Sequence, residues 1–294
     1  PLSQGLLGAS APLATLNKKK NLGYILLVGF LSGMAPDLDV FIRSSEDPLF
    51  FLEYHRQFTH SLIFIPFGGG ICAAIFHFFL KKKMTFRKTF FYSCLGYGTH
   101  GFLDTCTSYG TQLLWPFSTT RFGWDNISIV DPLFTLPLFI LIIFSFFKKN
   151  IKFYKVAFLY AIFYLSLGVI QRERVEKIGY QIATERGHIP IRMSVKPSLG
   201  NLALWKVVYE ENNRYYIDAV KLIVHPKIFY GESIKKLDLK KDFPTLKPNS
   251  TVEKDIKRFS WFSSQYVAKA PQHDNTIIDV RYSFIPNEIG PLWG

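Results

Sequence analysis

The chain has 294 residues, 48% hydrophobic and 17% aromatic but only 19% charged, with a formal net charge of +13. Residues 1–170 hold 15 Lys/Arg and 8 Asp/Glu, whereas the shorter remainder holds 20 and 14. That split excludes disorder, a collagen-like fibre and one uniform soluble domain. It divides the chain into a membrane-embedded part, 1–170, and a water-soluble part, 171–294. Cys72, Cys94 and Cys106 lie in apolar stretches without CxxC spacing, so neither a disulfide scaffold nor a thiolate zinc site is indicated.

In chain order, Leu6–Leu16 is apolar but too short to span and reads as an interfacial or re-entrant helix. A spanning helix needs about 20 mostly apolar residues. Leu22–Ile42, Ser61–Leu80, Thr89–Cys106, Asp131–Phe147 and Phe153–Ile170 are five such stretches. Thr89–Cys106 is the weakest, because His100 and Asp104 interrupt it.

Loop charge orients these spans. Lys18–Lys20, Lys81–Lys83 with Arg87 and Lys88, and Lys148, Lys149, Lys152 and Lys155 make twelve cations on one side with no acid among them. All eight acids of this half fall on the other. By the positive-inside rule the basic side is cytoplasmic, which carries residues 171–294 to the opposite, periplasmic side. The same cations invite nucleic acid as partner. They sit in short connections between apolar segments, however, where topology and anionic lipid explain them, so membrane lipids and not nucleic acid are the expected partner.

Beyond residue 170, Arg172–Glu185 continues as a helix. Trp205–Glu210, Arg214–Val224 and Ile277–Ile285 are rich in β-branched and aromatic residues and read as strands. Thr251–Lys269 places apolar residues at helical spacing. The fold class is therefore a mainly α membrane protein, about five transmembrane helices followed by a small soluble α+β domain. His188, His225 and His273 are scattered through that domain and read as surface or satisfied histidines.

Four motifs fall at the outer side of the membrane half: Pro36-Asp37-Leu38-Asp39, His55-Arg56-Gln57-Phe58-Thr59-His60-Ser61, His100-Gly101-Phe102-Leu103-Asp104, and Trp124-Asp125 with Asp131-Pro132. Ionisable residues in spans are costly and pair with something or line a polar cavity. His100 and Asp104 are four apart and share a helix face. Carboxylates gathered at one depth repel unless a cation neutralises them. Mixed His/Asp donors suit zinc, with Mn or Fe as alternatives. Singly, each motif has a plain structural explanation in a turn, a cap or a buried pair; jointly they point to a metal site. Arg56 beside it suits an oxyanion or phosphate, and Thr59 and Ser61 are placed to hydrogen-bond the carboxylates. The loop 105–122 reads as a lid over the site or an aromatic belt anchor. His77, alone near the opposite end of its span, reads as structural.

These motifs, with THGFLDTCTSYGTQLLWPFS and WDNISIVDPLFTLPL, resemble a bacterial inner-membrane family identified as membrane-bound metal-dependent hydrolases, LexA-regulated in some members. The resemblance covers residues 1 to about 170. It is distantly similar in turn to the zinc-dependent phospholipase C and P1 nuclease superfamily, whose His/Asp-bound zinc hydrolyses phosphoesters. Carried onto this chain, it implies Asp37, Asp39, His55, His60, His100 and Asp104 as metal residues. Many members have Leu-Thr-His where this chain has Leu2-Ser3-Gln4; if that His is a ligand in them, one metal position is weakened here or filled by Gln4 or water.

The expected activity is hydrolysis of a phosphoester or lipid-like substrate through a metal-bound water, in the bacterial inner membrane. Asp39 or Asp104 serves as general base if it is not a ligand, and Arg56 stabilises the developing charge. A non-catalytic protein whose metal staples helices and whose tail meets a partner is the alternative.

Overall fold

The computed structural model describes residues 1–290 apart from 272 and 274. The chain divides into two compact units, Pro1–Gly168 and Val169–Gly294.

The first unit is helical: α1 (Leu2–Ala14), α2 (Leu22–Met34), α3 (Phe50–Tyr54), α4 (Ile65–Leu80), α5 (Phe86–Cys106), α6 (Pro132–Lys148) and the start of α7 (Ile151–Glu185). By length and composition, three described helical segments can cross a membrane: Leu22–Phe41, Leu62–Leu80 and Ile151–Glu185. α6 is apolar but only 17 residues long. α5 has the length without the hydropathy, because its inner face carries polar side chains. Helix α1 is buried from Gln4 to Leu13. The short apolar segment thus lies inside the bundle.

Glycine sets how closely these helices cross. A Cβ on Gly8 would meet the Gly29 carbonyl oxygen at 2.7 Å, and one on Gly96 would meet the same atom at 2.5 Å. α1, α2 and α5 therefore touch backbone to backbone, as membrane helices do through small residues. That crossing brings the C-terminal end of α2, the start of α1 and the second half of α5 to one place.

The second unit is α+β. Strands β1 (Arg192–Pro197), β2 (Leu204–Glu211), β3 (Arg214–Leu222) and β4 (Pro226–Lys235) form an antiparallel sheet in sequence order. The β2–β3 hairpin turns on Asn212 and Asn213, both with positive φ, as a two-residue hairpin demands. Helices α8 (Leu239–Asp242) and α9 (Thr251–Phe262) follow, then the pair β5 (Val267–Lys269) and β6 (Ile277–Asp279). Tyr215, Ile217, Ala268 and Ile278 form the core between the two sheets.

Two corrections to the sequence reading arise here. The helix expected over Thr251–Lys269 ends at Phe262, because Ser264 and Gln265 take positive φ and reverse the chain into β5. The strand expected over Ile277–Ile285 ends at Asp279, whose carboxylate bends back onto the Arg281 N–H. β1 and β4 went unread, β4 because its exposed, charged alternation carries little apolar signal.

In this unit the last part of α7 lies on the sheet. Arg186 makes a two-pronged bond to the buried Asp218, at 2.7 and 2.8 Å. Lys206, on β2, is also buried, and its Nζ donates to Ser283 Oγ (2.7 Å) and the Glu288 carbonyl (2.9 Å). A neutral amine has two N–H donors, which these two acceptors fill. Burial pushes this ammonium down from its ordinary 10.5 to about 7, against the pull of Asp279, Glu232 and Glu288. Between those two pH values the unfolded chain binds a proton that the folded chain does not. The stability of this unit should therefore rise as pH climbs from about 7 toward 10.5. Hydrogen exchange on the β2 and β3 amides, corrected for intrinsic rates, checks this, and Lys206→Met should flatten the dependence.

Candidate metal centre

Asp37 and Asp39 come from a 3-10 turn, Ala35–Phe41, that continues α2. Pro36 at its start lacks an N–H and favours that first turn. His60 ends a second short turn, Phe58–His60. His100 and Asp104 sit one turn apart on α5. Gly101 lies between them, where any Cβ would collide with the His60 carbonyl oxygen. Glycine here lets the His60 segment rest on α5.

These elements bring Asp37, His60, His100 and Asp104 together, with one donor atom from each all within 4.8 Å of one another. Asp104 Oδ2 is 3.2 Å from His60 Nε2 and 3.3 Å from His100 Nε2; Asp37 Oδ1 is 3.2 Å from His100 Nε2 and 3.7 Å from His60 Nε2. Donors arranged tetrahedrally around one ion at about 2.0–2.1 Å stand roughly 3.3–3.4 Å apart. Four of the six donor separations, at 3.2–3.7 Å, lie near that spacing, and all six lie within 4.8 Å.

Hydrogen bonding gives the same answer. His60 Nε2, His100 Nε2 and Asp104 Oδ2 are buried and make no hydrogen bond. Buried polar atoms are ordinarily paired, and these three all face one point. The far nitrogens explain why the near ones are bare. His100 Nδ1 lies 2.6 Å from the Gly33 carbonyl oxygen, which can only accept, so Nδ1 carries the proton. His60 Nδ1 meets Thr59 Oγ1 at 2.9 Å and Asp39 Oδ2 at 3.3 Å, and Thr59 spends its own proton on Asp39 at 2.7 Å. In the neutral form of each ring the Nε2 lone pair then turns inward, the arrangement of a metal-ligating histidine backed by a carbonyl or carboxylate. These four residues could hold a metal ion.

The other expected metal residues stand elsewhere. Asp39 is buried and fully engaged. Its Oδ1 meets His55 Nδ1 at 2.7 Å, and its Oδ2 accepts from the Arg56 N–H (3.0 Å) and from Thr59. It joins His55 to His60 from behind, and neither Asp39 nor His55 belongs to the four-residue group. With both oxygens committed, Asp39 is placed to orient His60 and not to take a proton from water. Asp131 is also apart: it caps α6, accepting from the Leu133 and Phe134 N–H groups and from the Tyr164 hydroxyl.

Arg56 is where the motif placed it and is nearly buried. Its backbone adopts φ +63°, a left-handed conformation that costs a non-glycine residue on the order of 1–3 kcal/mol. The strained turn points its N–H at Asp39 and its side chain at the cluster. Nε lies 3.2 Å from Asp104 Oδ2, Nη1 donates to Thr107 Oγ1 at 3.0 Å, and the guanidinium covers the Tyr109 ring at 4.8 Å.

Gln4 takes part as well: its Nε2 donates to Asp104 Oδ1 at 3.0 Å. That bond occupies one carboxylate oxygen and leaves Oδ2 for the shared point. The loop after α5 is tied to the same segment, Gln112 N donating to the Arg56 carbonyl and Leu62 N to that of Leu113. Its Leu114 and Phe117 remain exposed. Sequence reasoning missed Gly33, Thr107 and Tyr109. Their contributions are a carbonyl, a hydroxyl and a ring face set by tertiary placement, with no motif to announce them.

Comparisons with known proteins agree with a membrane assignment. "Uncharacterized protein YfhP" of Bacillus subtilis (strain 168) is 29% identical over 112 residues, 38% of this chain and 34% of that protein. The chain therefore matches about a third of that relative's length. No solved structure matches. The family model for the YdjM inner membrane protein spans residues 1–175, more than half of the chain and all four clustered residues. The chain belongs to the YdjM inner membrane protein family.

Proposed function

We propose that this protein is a membrane-embedded, metal-dependent hydrolase acting on a phosphate-containing, lipid-like substrate, with zinc as its metal. The observation that carries the reading is the convergence with Asp37 of three buried donor atoms that make no hydrogen bond, His60 Nε2, His100 Nε2 and Asp104 Oδ2. Two imidazoles and two carboxylates form a mixed donor set that zinc accepts well, and Mn or Fe less specifically. A divalent ion held there supplies Lewis-acid chemistry, polarising a phosphoryl oxygen and acidifying water.

The residues around the ion have separable tasks. Asp37 is the least buried of the four, its side chain 23% exposed, so access to the ion runs past it. Arg56 lies against the same Asp104 oxygen and presents a planar cation to an incoming phosphate. Asp39 and the Gly33 carbonyl hold the two histidines in the ligating tautomer. The resemblance to zinc phosphoesterases supports phosphate as the substrate chemistry. The test is release of phosphate or headgroup by the purified protein from a panel of phospholipids and nucleotides, with chelator and zinc add-back. Turnover that is lost on chelation and restored by zinc is the expected result.

A second reading has one specific observation behind it. Four protein donors suffice to close a tetrahedral shell, as in structural sites. The ion would then pin α2, α5 and the His60 turn together, and a fully metallated protein would turn over nothing on the panel.

We further propose five spans, with Lys81–Lys83 and Lys148–Lys149 cytoplasmic and residue 294 periplasmic. The support is the segregation of twelve cations from every acid of the first half. α5 would enter the membrane despite its polar face, because that face is turned onto α1, α2 and the site. Reporter fusions after Lys83, Lys149 and Gly294 should read inside, inside and outside. A cytoplasmic signal from the last removes the five-span arrangement.

A further inference from the structure

The four-stranded sheet of the C-terminal unit has two unlike ends. One carries the Asn212-Asn213 turn, polar as tight turns usually are. The other carries the loop joining β1 to β2 and the turn joining β3 to β4, and there the rule is broken. Leu199 is 75% exposed, Ile223 61% and Val224 71%. A lone exposed apolar side chain needs no explanation; three on two neighbouring hairpin tips do. Phe284, 84% exposed, follows Ser283, whose hydroxyl is held by Lys206 close to the same end of β2. The tips are also basic. Lys221 and Lys227 face each other across β3 and β4 and are exposed. No acid occurs in residues 196–208 or 219–231.

A separate observation says what lies beside these tips. The side-chain amide of Gln171 donates to the carbonyls of Leu202 (3.3 Å) and Leu222 (3.0 Å), at the bases of the two tips. Gln171 is the first residue after the apolar run of α7, and Val169 and Ile170, just before it, are exposed apolar residues. At about 1.5 Å of rise per helical residue, Gln171 sits within a few ångströms of the last lipid-facing position. Both tips are therefore tied to the residue at which the apolar run of α7 ends. Apolar side chains flanked by lysines are the composition of a segment that lies in the headgroup–acyl boundary on anionic lipid.

We infer that the β1–β2 and β3–β4 tips of the C-terminal unit insert into the headgroup–acyl boundary of the bilayer, with Leu199, Ile223 and Val224 as the apolar wedge and Lys221 and Lys227 on anionic headgroups. The unit is thereby docked on the membrane surface at a second place besides α7. This inference is independent of any activity at the metal centre.

The test uses the full chain in nanodiscs of phosphatidylcholine with phosphatidylglycerol. Spin labels go on Leu199→Cys, Ile223→Cys and, as control, Asn213→Cys, with Cys72, Cys94 and Cys106 replaced by Ala. The labels at 199 and 223 should collide severalfold more with oxygen than with a water-soluble nickel chelate, and the label at 213 should do the reverse. Should the cysteine-free chain fail to fold, hydrogen exchange on the native chain serves instead. Peptides covering 198–203 and 221–227 should exchange more slowly in anionic than in neutral nanodiscs, and Lys221→Glu with Lys227→Glu should abolish the difference. Nickel access at 199 and 223 equal to that at 213 overturns the inference. So do labels shielded from both probes, which would mean protein cover, and so does exchange indifferent to lipid charge.

Discussion

If the cluster holds zinc as proposed, replacing His60 or His100 with Ala should strip the protein of it and destabilise the fold in the same step. Each ring supplies one of four donors, and each is fully or nearly fully buried. Removing one loses the ion's hold and leaves the Asp37 and Asp104 carboxylates facing each other without its charge. Breaking a buried charge cluster this way typically costs about 3–5 kcal/mol. Metal analysis of detergent-purified protein should fall from about one zinc per chain toward none, the tetrahedral shell having lost a corner. Thermal stability in detergent should drop alongside. His188→Ala and His273→Ala provide the contrast, because neither residue belongs to the cluster. Equal zinc in all four variants would refute the assignment. Asp39→Asn is the graded case: it keeps the shell but weakens the support behind His60, which by analogy with other metal sites costs about 10–100-fold in affinity.

That contrast between Asp37 and Asp39 shows where sequence reading reaches and where it stops. The short motif names both aspartates and gives no way to rank them. Their roles part because the 3-10 turn sends Asp37 toward α5 and Asp39 toward the His55–His60 segment. There the left-handed Arg56 N–H and the Thr59 hydroxyl take up its oxygen. No periodicity encodes a single positive φ. His60, His100 and Asp104 were legible for the opposite reason: charge in an apolar stretch is expensive, and that cost is visible in one dimension. The i, i+4 spacing of His100 and Asp104 survives into α5 unchanged.

The fold follows the same division. Segments with a strong apolar signal, such as the continuous run of α4 and the partly alternating β2–β3 hairpin, were readable in place. The role of α1 was not, because burial from Gln4 to Leu13 depends on Gly8, Gly29 and Gly96 letting three backbones meet. Asp131 was grouped with the cluster by its depth alone. An aspartate directly before Pro132 is also a helix-capping signal, and the cap is what the chain uses.

Arg56→Lys should separate binding of metal from use of it. The substitution keeps a positive charge beside Asp104, so the electrostatic balance of the cluster survives and zinc should remain bound. It removes the planar fork, together with the Nη1 bond to Thr107 and the stacking over Tyr109 that fix its direction. A lysine presents one flexible point charge where arginine presents parallel donors matched to phosphate oxygens. If the site hydrolyses a phosphoester, charge grows on those oxygens as the bond breaks, and a preorganised donor there is worth about 10²–10³ in turnover. The expected result is full zinc occupancy, little change in detergent stability, and a loss of that order in phosphate or headgroup release. Thr107→Val isolates the orienting bond. It should give a smaller loss in the same direction, because the guanidinium stays and only its aim is loosened. Wild-type turnover by a zinc-loaded Arg56→Lys protein would take Arg56 out of the chemistry. It would leave the metal assignment, which rests on the His60 and His100 nitrogens that make no hydrogen bond, untouched.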